Sequence, residues 1–529
     1  MPPQNHFASA EDEILAEAVA KYDPEIPFRA VKGHIYHTWA KTFFSRPDRY
    51  FQPASVRELR KILLIAHSQR RRVVTVGSGH SPSDLTCTSS WLVNLDKLNG
   101  ILSLDKETGV VKVQAGIRLH DLGIELEKKG LMLPNLGSID EQSVAGVIST
   151  GSHGSSLKYG LLSGCVEGLS IMLANGEIVE CDANKHVDLF RAALLSLGAL
   201  GVIVEMTMKA VPAFNIEWHQ SLKTLPYIIT NWNSGLWSSS EYVRVWWMPH
   251  SKRAILWHAD KTEKPLRDPP SSWYGGSFGY HLYNNLLYLS NWFPRMLPWV
   301  EWFIFGMQYG FKPGKIVTTA VQPARTGLLM DCLYSQFVNE WAVPLEKGPE
   351  AILRLSAWLE GDMETAQIPF SSDGIYVHSP IEVRVSDTTN LKGPRPFLDP
   401  SCRTGPTLYF NATLYRPYNR DPPCVRRYYE AFEYLMKELG GKPHWAKNFE
   451  TSQDDLAEMY GDDLEQFIRV RNEVDKDGMF LGPWHRRKLL TKKMAPEYFN
   501  NEEFEVRRRR ATRAGAGHGV EVMYEPINS

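Results

Sequence analysis

The chain has 529 residues, 43% of them apolar and 22% charged, which are the proportions of a folded protein with more than one hydrophobic core. Its 59 Lys and Arg residues nearly cancel its 60 Asp and Glu residues, so no net field attracts a polyanion and a nucleic-acid partner is not expected. The six cysteines are scattered, without a CxxC pair or a nearby His at metal-ligand spacing, which predicts reduced thiols and no metal site.

The two ends of the chain carry no clear functional signal. Residues 1–35 form an acidic extension that lacks both the apolar core of a signal peptide and the Arg-rich face of a transit peptide, so secretion and matrix import are not expected. Residues 489–529 form a C-terminal tail with a basic run, Arg507 to Arg510 plus Arg513, that we interpret as a solvated, flexible end.

Residues 36–214 alternate between predicted helices and strands. Ser55 and Glu58 form a capping box before apolar residues at helical spacing, and a buried strand follows at Val73–Val76. Asn175-Gly176 between two β-rich runs predicts a hairpin. The remaining predicted elements are strands at Leu92–Leu95, Val110–Gln114 and Gly201–Val211 and a helix at Leu119–Lys129. This pattern predicts a first domain of mixed strands and helices that closes near Pro212.

Two loops rich in Gly and Ser lie in this first domain, at 77–83 and 149–156. Loops of this composition bring main-chain N–H groups close to a bound anion, so the pair indicates a ligand with several phosphate or hydroxyl groups. A Rossmann site, with Asp96 as the ribose acid, is disfavoured because Pro82 occupies the third glycine position and no helical pattern follows. Taken alone, the first loop is equally compatible with an ordinary tight turn.

Two histidines lie in these loops, His80 in the first and His153 in the second. A lone loop histidine is usually a surface or hydrogen-bonding residue. Neutral imidazole is also a nucleophile that can attack the 8α-methyl group of a flavin, and His80 is the first candidate for such a bond, with His153 as its rival.

Two further segments carry charged residues next to apolar ones. Strand alternation in the run 381–385 places Glu382 and Arg384 on one face, which either lies in water on an edge strand or lines a pocket. In a pocket, the pair offers an acceptor for a substrate hydroxyl and a fixed cation for developing negative charge. Lys447, in His444-Trp445-Ala446-Lys447, is either a second such cation or half of a surface packing pair.

A second domain is predicted at 215–440, where Trp and Tyr become frequent. Within it, residues 282–308 are apolar and aromatic, but Pro294, Arg295, Pro298 and Glu301 interrupt the segment and argue against a membrane-spanning helix. Its tryptophans suit a membrane interface, and a buried helix pair is the equally weighted alternative.

Together, the loop TVGSGHSPS, the stretch NLGSIDEQSVAGVISTGSHGSS, the EVR strand and HWAK resemble the aldonolactone oxidase group of the vanillyl-alcohol oxidase flavoprotein superfamily, in particular the fungal D-arabinono-1,4-lactone oxidases. The resemblance runs from about Trp39 to about Phe480. It implies an α+β, two-domain fold, with an FAD-binding domain of the PCMH type at 36–214, a substrate-capping domain at 215–440, and residues 441–488 returning to the FAD domain and the active site.

The resemblance also implies roles for individual residues. His80 matches the histidine joined covalently to FAD, and Glu382, Arg384 and Lys447 match catalytic positions beside the sugar. The positions assigned to the cofactor are Val76, Gly77, Ser78, Gly79, Ser81, Pro82, Ser83, Gly137, Ser138, Ser143, Gly146, Ser149, Thr150, Gly151, Ser152, His153, Gly154 and Ile203.

The expected reaction is oxidation of D-arabinono-1,4-lactone, or a related aldonolactone, by O₂ to D-erythroascorbate and H₂O₂. Gly137 favours an oxidase, because related dehydrogenases that avoid oxygen place Ala there. A dehydrogenase that passes electrons to a protein such as cytochrome c and a flavin-free membrane-associated binding protein are the alternatives. The resemblance further implies association with the mitochondrial outer membrane, with a cytosolic location as the alternative.

Overall fold

The computed structural model describes residues 10–272, 275–314, 317–330, 332–389, 391 and 393–490, and the backbone of two strands, Phe504–Arg509 and Glu521–Pro526. Arg507, Arg508 and Arg509 of the basic run lie in the first of these strands, whereas Arg510 and Arg513 lie outside the described residues. Strands and helices both contribute extensively, which confirms the predicted α+β class.

The first small sheet consists of three parallel strands, in the order Arg49–Phe51, Trp91–Asn94 and Val73–Val76. The helix Val56–Ser68 comes directly before the strand Val73–Val76 in the chain. It begins where Ser55 Oγ accepts a hydrogen bond from the Glu58 amide at 3.1 Å. Its apolar stripe is buried against this sheet, so the predicted helix start and strand are confirmed. The capping box is only half formed, because the Glu58 carboxylate accepts a hydrogen bond from the Ala54 amide, at 2.9 Å, in place of the Ser55 amide.

The second sheet is antiparallel and completes the N-terminal region. Its order is Ile178–Asp182, Val166–Met172, Val202–Lys209, Val110–Gln114 and Ile101–Leu104. The hairpin predicted at Asn175-Gly176 joins the first two strands, with Gly176 at a φ of +77°. The neighbouring helices are Leu119–Glu127, Val144–Ser149 and Val187–Ala193, so the predicted helix at 119–129 ends two residues early.

A large antiparallel sheet dominates the rest of the chain. Its eight strands, in spatial order, are Val317–Pro323, Asn215–Thr224, Arg253–Thr262, Tyr242–Met248, Ile381–Ser386, Thr407–Tyr415, Gln336–Pro344 and Lys442–Pro443. Apolar side chains on one face pack against the helices Gly348–Glu360 and Val425–Glu438 and form a separate core. The opposite face carries polar and charged residues together with apolar residues that join the N-terminal core, such as Trp218, Trp246 and Trp257. The strand Ile381–Ser386 lies in the interior of the sheet. The edge-strand alternative for Glu382 and Arg384 is therefore wrong.

The aromatic segment at 282–308 folds as two helices, Ser277–Ser290 and Leu297–Tyr309, separated by a short 3-10 turn at Pro294–Met296. Pro294 begins this turn and Pro298 lies in the first turn of the second helix, so the predicted interruption of the segment is confirmed. One side of the helix pair joins the core of the N-terminal sheets, and the other side is exposed. In the described part of the chain, no helix is long and apolar enough to span a membrane.

The final described helices pack back onto the N-terminal core. They are Gln453–Tyr460, Asp462–Val474 and Pro483–Lys488, and their apolar residues share one cluster with the helix Val56–Ser68. His485 Nε2 lies 2.7 Å from the carbonyl oxygen of Leu197, which ties the last helix to the first domain. This arrangement agrees with the C-terminal return that the resemblance implied, while the domain limits stay predictions.

Candidate active site

The first glycine-rich loop and the start of the second, Ser149 and Thr150, line the same cleft. Residues predicted to bind the cofactor line this cleft, namely Val76, Gly77, Ser78, Gly79, His80, Ser81, Ser143, Gly146, Ser149, Thr150 and Ile203. Phe480 and His485 of the C-terminal return complete the wall, although no sequence motif had marked them. The tertiary fold therefore brings four separate parts of the chain to one cleft, namely the region of the first loop, residues 142–150, residues 196–203 and the C-terminal return.

The first loop leaves no room for side chains where it turns. A Cβ atom on Gly77 would lie 2.2 Å from Ser143 Oγ, and one on Gly79, at a φ of +67°, would lie 2.7 Å from Tyr36 Oη. Gly77 is thus required because a neighbouring side chain approaches its backbone closely. Gly79 is required for the same reason and also because its φ is positive. A lining of main-chain groups, small hydroxyl side chains and apolar residues fits the phosphates and ribityl chain of FAD.

The same loop does not form a Rossmann site. Between the strands Val73–Val76 and Trp91–Asn94 the chain contains no helix that could receive a pyrophosphate. Asp96 accepts a hydrogen bond from Arg118 at 2.6 Å and does not line the cleft. The first loop therefore does not run directly into a helix as a Rossmann loop does, and the helix that reaches the cleft, Val144–Ser149, comes from a later part of the chain.

A second cavity adjoins the first at His80. Residues predicted for the cofactor or for catalysis line it, namely His80, Pro82, Gly137, Ser138, Ser152, His153, Glu382, Arg384 and Lys447. Three predicted cofactor residues, Ser83, Gly151 and Gly154, line neither cavity. Gly154 instead allows close packing, because a Cβ atom there would lie 2.0 Å from Asn135 Oδ1.

His80 has an unusual environment at the junction of the two cavities. Its ring stacks on Trp39 with centroids 5.2 Å apart, and its Nδ1 atom is buried without a hydrogen-bond partner. Burial, together with the positive charges of Arg118 and Lys447, lowers the pKa of His80 to about 4. The imidazole is therefore neutral near pH 7 and has a nitrogen lone pair available for bonding.

His153, the rival candidate, has both ring nitrogens engaged. Nδ1 lies 2.9 Å from the carbonyl oxygen of Gly154, and Nε2 lies 3.0 Å from Glu340 Oε1. Its ring also stacks on Tyr409 at a centroid distance of 3.4 Å. Both nitrogens of His153 are therefore occupied by hydrogen bonds, whereas Nδ1 of His80 is not.

The charged wall of the second cavity is built as a row across four neighbouring strands. The register pairs Trp246 with Glu382, Glu382 with Asn411, and Asn411 with Glu340. Arg384 lies two residues further along its strand, with Nε 3.4 Å from Glu382 Oε2. Side chains at paired positions project from the same face of a sheet, so the row gathers its polar groups at one place.

Glu382 has one oxygen available to a ligand. Its Oε1 atom is buried without a hydrogen-bond partner, and the residue lines the cavity. The fully buried Arg244 lies behind it; burial lowers the pKa of Arg244 to about 10, although the negative charge of Glu382 opposes this shift. An unpaired buried carboxylate oxygen is costly, so this atom is a natural acceptor for a substrate hydroxyl.

Glu340 and Arg244 are two charged residues near this cavity that no sequence motif marked. The Glu340 side chain is fully buried and contacts Arg384 and Lys447 as well as His153. Burial disfavours its charge, but the neighbouring cations outweigh burial and hold the pKa of Glu340 well below its usual range. The available signal for Glu340 was a lone acid in the otherwise largely apolar strand QFVNEWAVP.

The remaining walls of the cavity divide into polar and apolar parts. Gln336, Asn411 and Thr413 offer amide and hydroxyl groups, whereas Trp246, Met330 and Leu333 provide apolar surface. A small polyhydroxylated molecule with an apolar ring face fits such a lining.

The two adjoining cavities, the glycine loops and the eight-stranded cap define a flavoprotein oxidoreductase with the vanillyl-alcohol-oxidase fold. Solved cholesterol oxidase from Brevibacterium sterolicum shares this fold, with a TM-score of 0.71 and 14% identity over 88% of this chain and 99% of that chain. The profile described as an FAD binding domain matches residues 47–182, and the profile described as D-arabinono-1,4-lactone oxidase matches residues 206–488.

Relatives matched along nearly their whole length identify the family. A protein of Neurospora crassa, which carries the provisional name of a D-arabinono-1,4-lactone oxidase, is 51% identical over 96% of this chain and 95% of its own length. D-arabinono-1,4-lactone oxidase of Yarrowia lipolytica is 44% identical over 85% of this chain and 96% of its own length. The chain belongs to the D-arabinono-1,4-lactone oxidase family.

The tight contact at Gly77 predicts that Gly77→Ala greatly reduces FAD content, because the new methyl group would displace either the loop or Ser143. Flavin absorbance per mole of purified protein measures the effect. Gly405→Ala is the matched control, since a Cβ atom there meets nothing within 4 Å, and it should retain full FAD content. Normal flavin content in Gly77→Ala would show that this loop does not close on the cofactor.

Proposed function

We propose that this protein oxidises D-arabinono-1,4-lactone, or a closely related aldono-1,4-lactone, with O₂ as the electron acceptor, giving D-erythroascorbate and H₂O₂. The observation that carries the proposal is the wall formed by Glu382, Arg384 and Lys447 beside the cleft that fits FAD, in a member of this family. The names of the relatives supply the substrate class.

FAD in this site supplies the acceptor for a hydride from the carbon that bears the substrate's C2 hydroxyl. Glu382 holds that hydroxyl through its free Oε1 atom and takes its proton as the C–H bond breaks. Arg384 and Lys447 hold positive charge where negative charge develops on the substrate and the cofactor. Loss of two electrons and two protons gives a 2-keto lactone, and its tautomer is the enediol product.

Oxygen is the proposed acceptor because of Gly137, which lines the second cavity. A Cβ atom at this position would have only the His153 carbonyl oxygen within 4 Å, at 3.7 Å. The absence of a side chain thus leaves space beside the cofactor without being required by packing. Two-electron transfer to O₂, with two protons, yields H₂O₂. A dehydrogenase that uses a protein acceptor is the alternative.

We further propose that FAD is bound covalently through His80. Its neutral ring, its unpartnered Nδ1 atom and its stacking on Trp39 support this role. A fixed, uncharged imidazole is the form that attacks an electrophilic carbon.

The third proposal is peripheral attachment to a membrane, at the mitochondrial outer membrane, through an aromatic surface on the helix pair 277–309. We define this surface as Phe278, Leu289, Trp292, Phe293, Trp299, Trp302 and Met307, all of them exposed large apolar residues. Exposed aromatics concentrated in one place suit insertion at the level of lipid headgroups. The mitochondrial address rests on the resemblance, and a cytosolic location is the alternative.

We expect Lys447→Ala to lower turnover of D-arabinono-1,4-lactone by about 10²-fold to 10³-fold while FAD stays bound, because a positioned cation is lost. Glu382→Gln should slow flavin reduction by about 10²-fold or more. Stopped-flow absorbance measures reduction by the lactone. Lys442→Ala is the control, since Lys442 lies over the Tyr460 ring and lines neither cavity. Wild-type rates in both variants would remove these residues from the mechanism.

Acid precipitation tests the covalent bond. Wild-type protein should keep its yellow colour in the pellet and His80→Ala should release it, whereas the control His258→Ala should behave as wild type.

Because the pKa of His80 lies at about 4, incorporation of FAD into apoprotein should be equally fast at pH 6 and pH 8. A histidine with an ordinary pKa would react more slowly at pH 6, as protonation occupies its lone pair.

Gly137→Ala is expected to slow reoxidation by O₂ at least about tenfold, a barrier increase of roughly 1.4 kcal/mol, because the added methyl group fills the space through which O₂ would reach the flavin. Reduction by the lactone and turnover with an artificial dye acceptor should change little, since the methyl group fits the space. Oxygen-electrode and dye assays on the same preparation separate the two half-reactions. Equal O₂ rates in both proteins would show that Gly137 does not set oxygen reactivity.

Replacing Trp292, Phe293 and Trp299 together by Ser should abolish flotation with liposomes of mitochondrial outer-membrane composition. The control Leu102→Ser, Leu353→Ser removes two other exposed apolar residues and should leave flotation intact. Equal flotation of both variants would refute this surface as the anchor. In cell fractions, recovery of the wild type in the cytosol would refute the mitochondrial address.

A further inference from the structure

Glu340 contacts four residues of the substrate cavity without lining the cavity itself. Arg384 donates to its Oε1 at 2.6 Å, and His153 Nε2 lies 3.0 Å from the same oxygen. Lys447 Nζ and Asn411 Nδ2 each lie 3.3 Å from its Oε2. All four partners line the cavity, whereas Glu340 is fully buried beneath them.

The backbone of Glu340 also holds the segment that carries Lys447. Its carbonyl oxygen accepts a hydrogen bond from the His444 amide at 2.8 Å. Two residues earlier on the same strand, Val338 exchanges hydrogen bonds with Asn448, through its carbonyl at 2.7 Å and its amide at 3.0 Å. The segment from His444 to Asn448 is therefore fixed along this strand, and Lys447 reaches Glu340 from a defined position.

From this geometry we infer that Glu340 is a positioning residue that holds Arg384 and Lys447 at the cavity wall. Two like charges side by side in a buried site repel each other and would turn towards solvent. A carboxylate between them removes this tendency and gives each cation a fixed hydrogen-bond acceptor. The inference rests on the proposed flavin chemistry at this cavity, but it does not depend on which lactone is the substrate.

The test uses Glu340→Gln in the FAD-loaded protein. Gln has the same size but offers one acceptor oxygen and one NH₂ donor, so it cannot accept hydrogen bonds from both pairs of donors. We expect flavin reduction by the lactone to fall by about 10-fold to 100-fold, as charged hydrogen bonds are lost. Glu433→Gln is the matched control. Glu433 is also a buried carboxylate with three hydrogen bonds, but neither it nor its partners line the cavity.

Sulfite binding provides a readout that does not depend on the substrate, because sulfite adds to flavins and binds more tightly when positive charge lies nearby. If Glu340 holds the cations in place, the sulfite dissociation constant rises at least about tenfold in Glu340→Gln, as in Lys447→Ala, and stays at the wild-type value in Glu433→Gln. Tighter sulfite binding would show that Glu340 only neutralises cations held by other contacts, and unchanged binding would show a purely structural role. Either of these results overturns the inference.

A double variant tests whether the two residues act together. Glu340→Gln combined with Lys447→Ala should reduce the flavin-reduction rate by clearly less than the product of the two single effects, since both remove the same cation. Fully multiplicative losses would mean that Glu340 acts independently of Lys447 and would also overturn the inference. If the lactone proves to be the wrong substrate, only the reduction assays fail, and the sulfite measurement still decides.

Discussion

The buried charge cluster on the polar face of the eight-stranded sheet is the interaction on which the active site depends. Glu382, Arg384, Glu340 and Lys447 alternate in sign, and each contacts the next within 3.4 Å. A charge removed from water is tolerated only when its partners are fixed, so each member constrains the others. The sheet satisfies this condition because its hydrogen-bond register sets the spacing of the residues that it carries.

The role proposed for this charge cluster in flavin reduction depends on the neighbouring cleft that fits FAD. Pro82, at the end of the first glycine loop, uses its carbonyl oxygen to accept hydrogen bonds from Thr42 and from Asn448, which is next to Lys447. The loop that contains His80 is thus tied to the segment that contains Lys447. The proposed flavin attachment at His80 and the proposed charge stabilisation by Lys447 are therefore linked through hydrogen bonds to the Pro82 carbonyl oxygen.

Prediction from sequence succeeded where local rules apply. The capped helix at 56–68, the strand Val73–Val76 and the Asn175-Gly176 hairpin follow from spacing and turn chemistry. Most predicted cofactor residues line a cavity because they lie in two short motifs. The choice between an edge strand and a pocket for Glu382 could not be made locally, since alternation is the same in both.

Glu340, Arg244 and the wall formed by Phe480 and His485 were missed for a related reason: their importance comes from partners distant along the chain. The sequence by itself determined the fold class, the family and the residue types of the site, because short motifs and periodic patterns encode them. Only the tertiary structure decided which charges meet, which histidine has a free nitrogen and which acid is buried among the cations. Those properties depend on strand order and packing, which bring together residues more than a hundred positions apart.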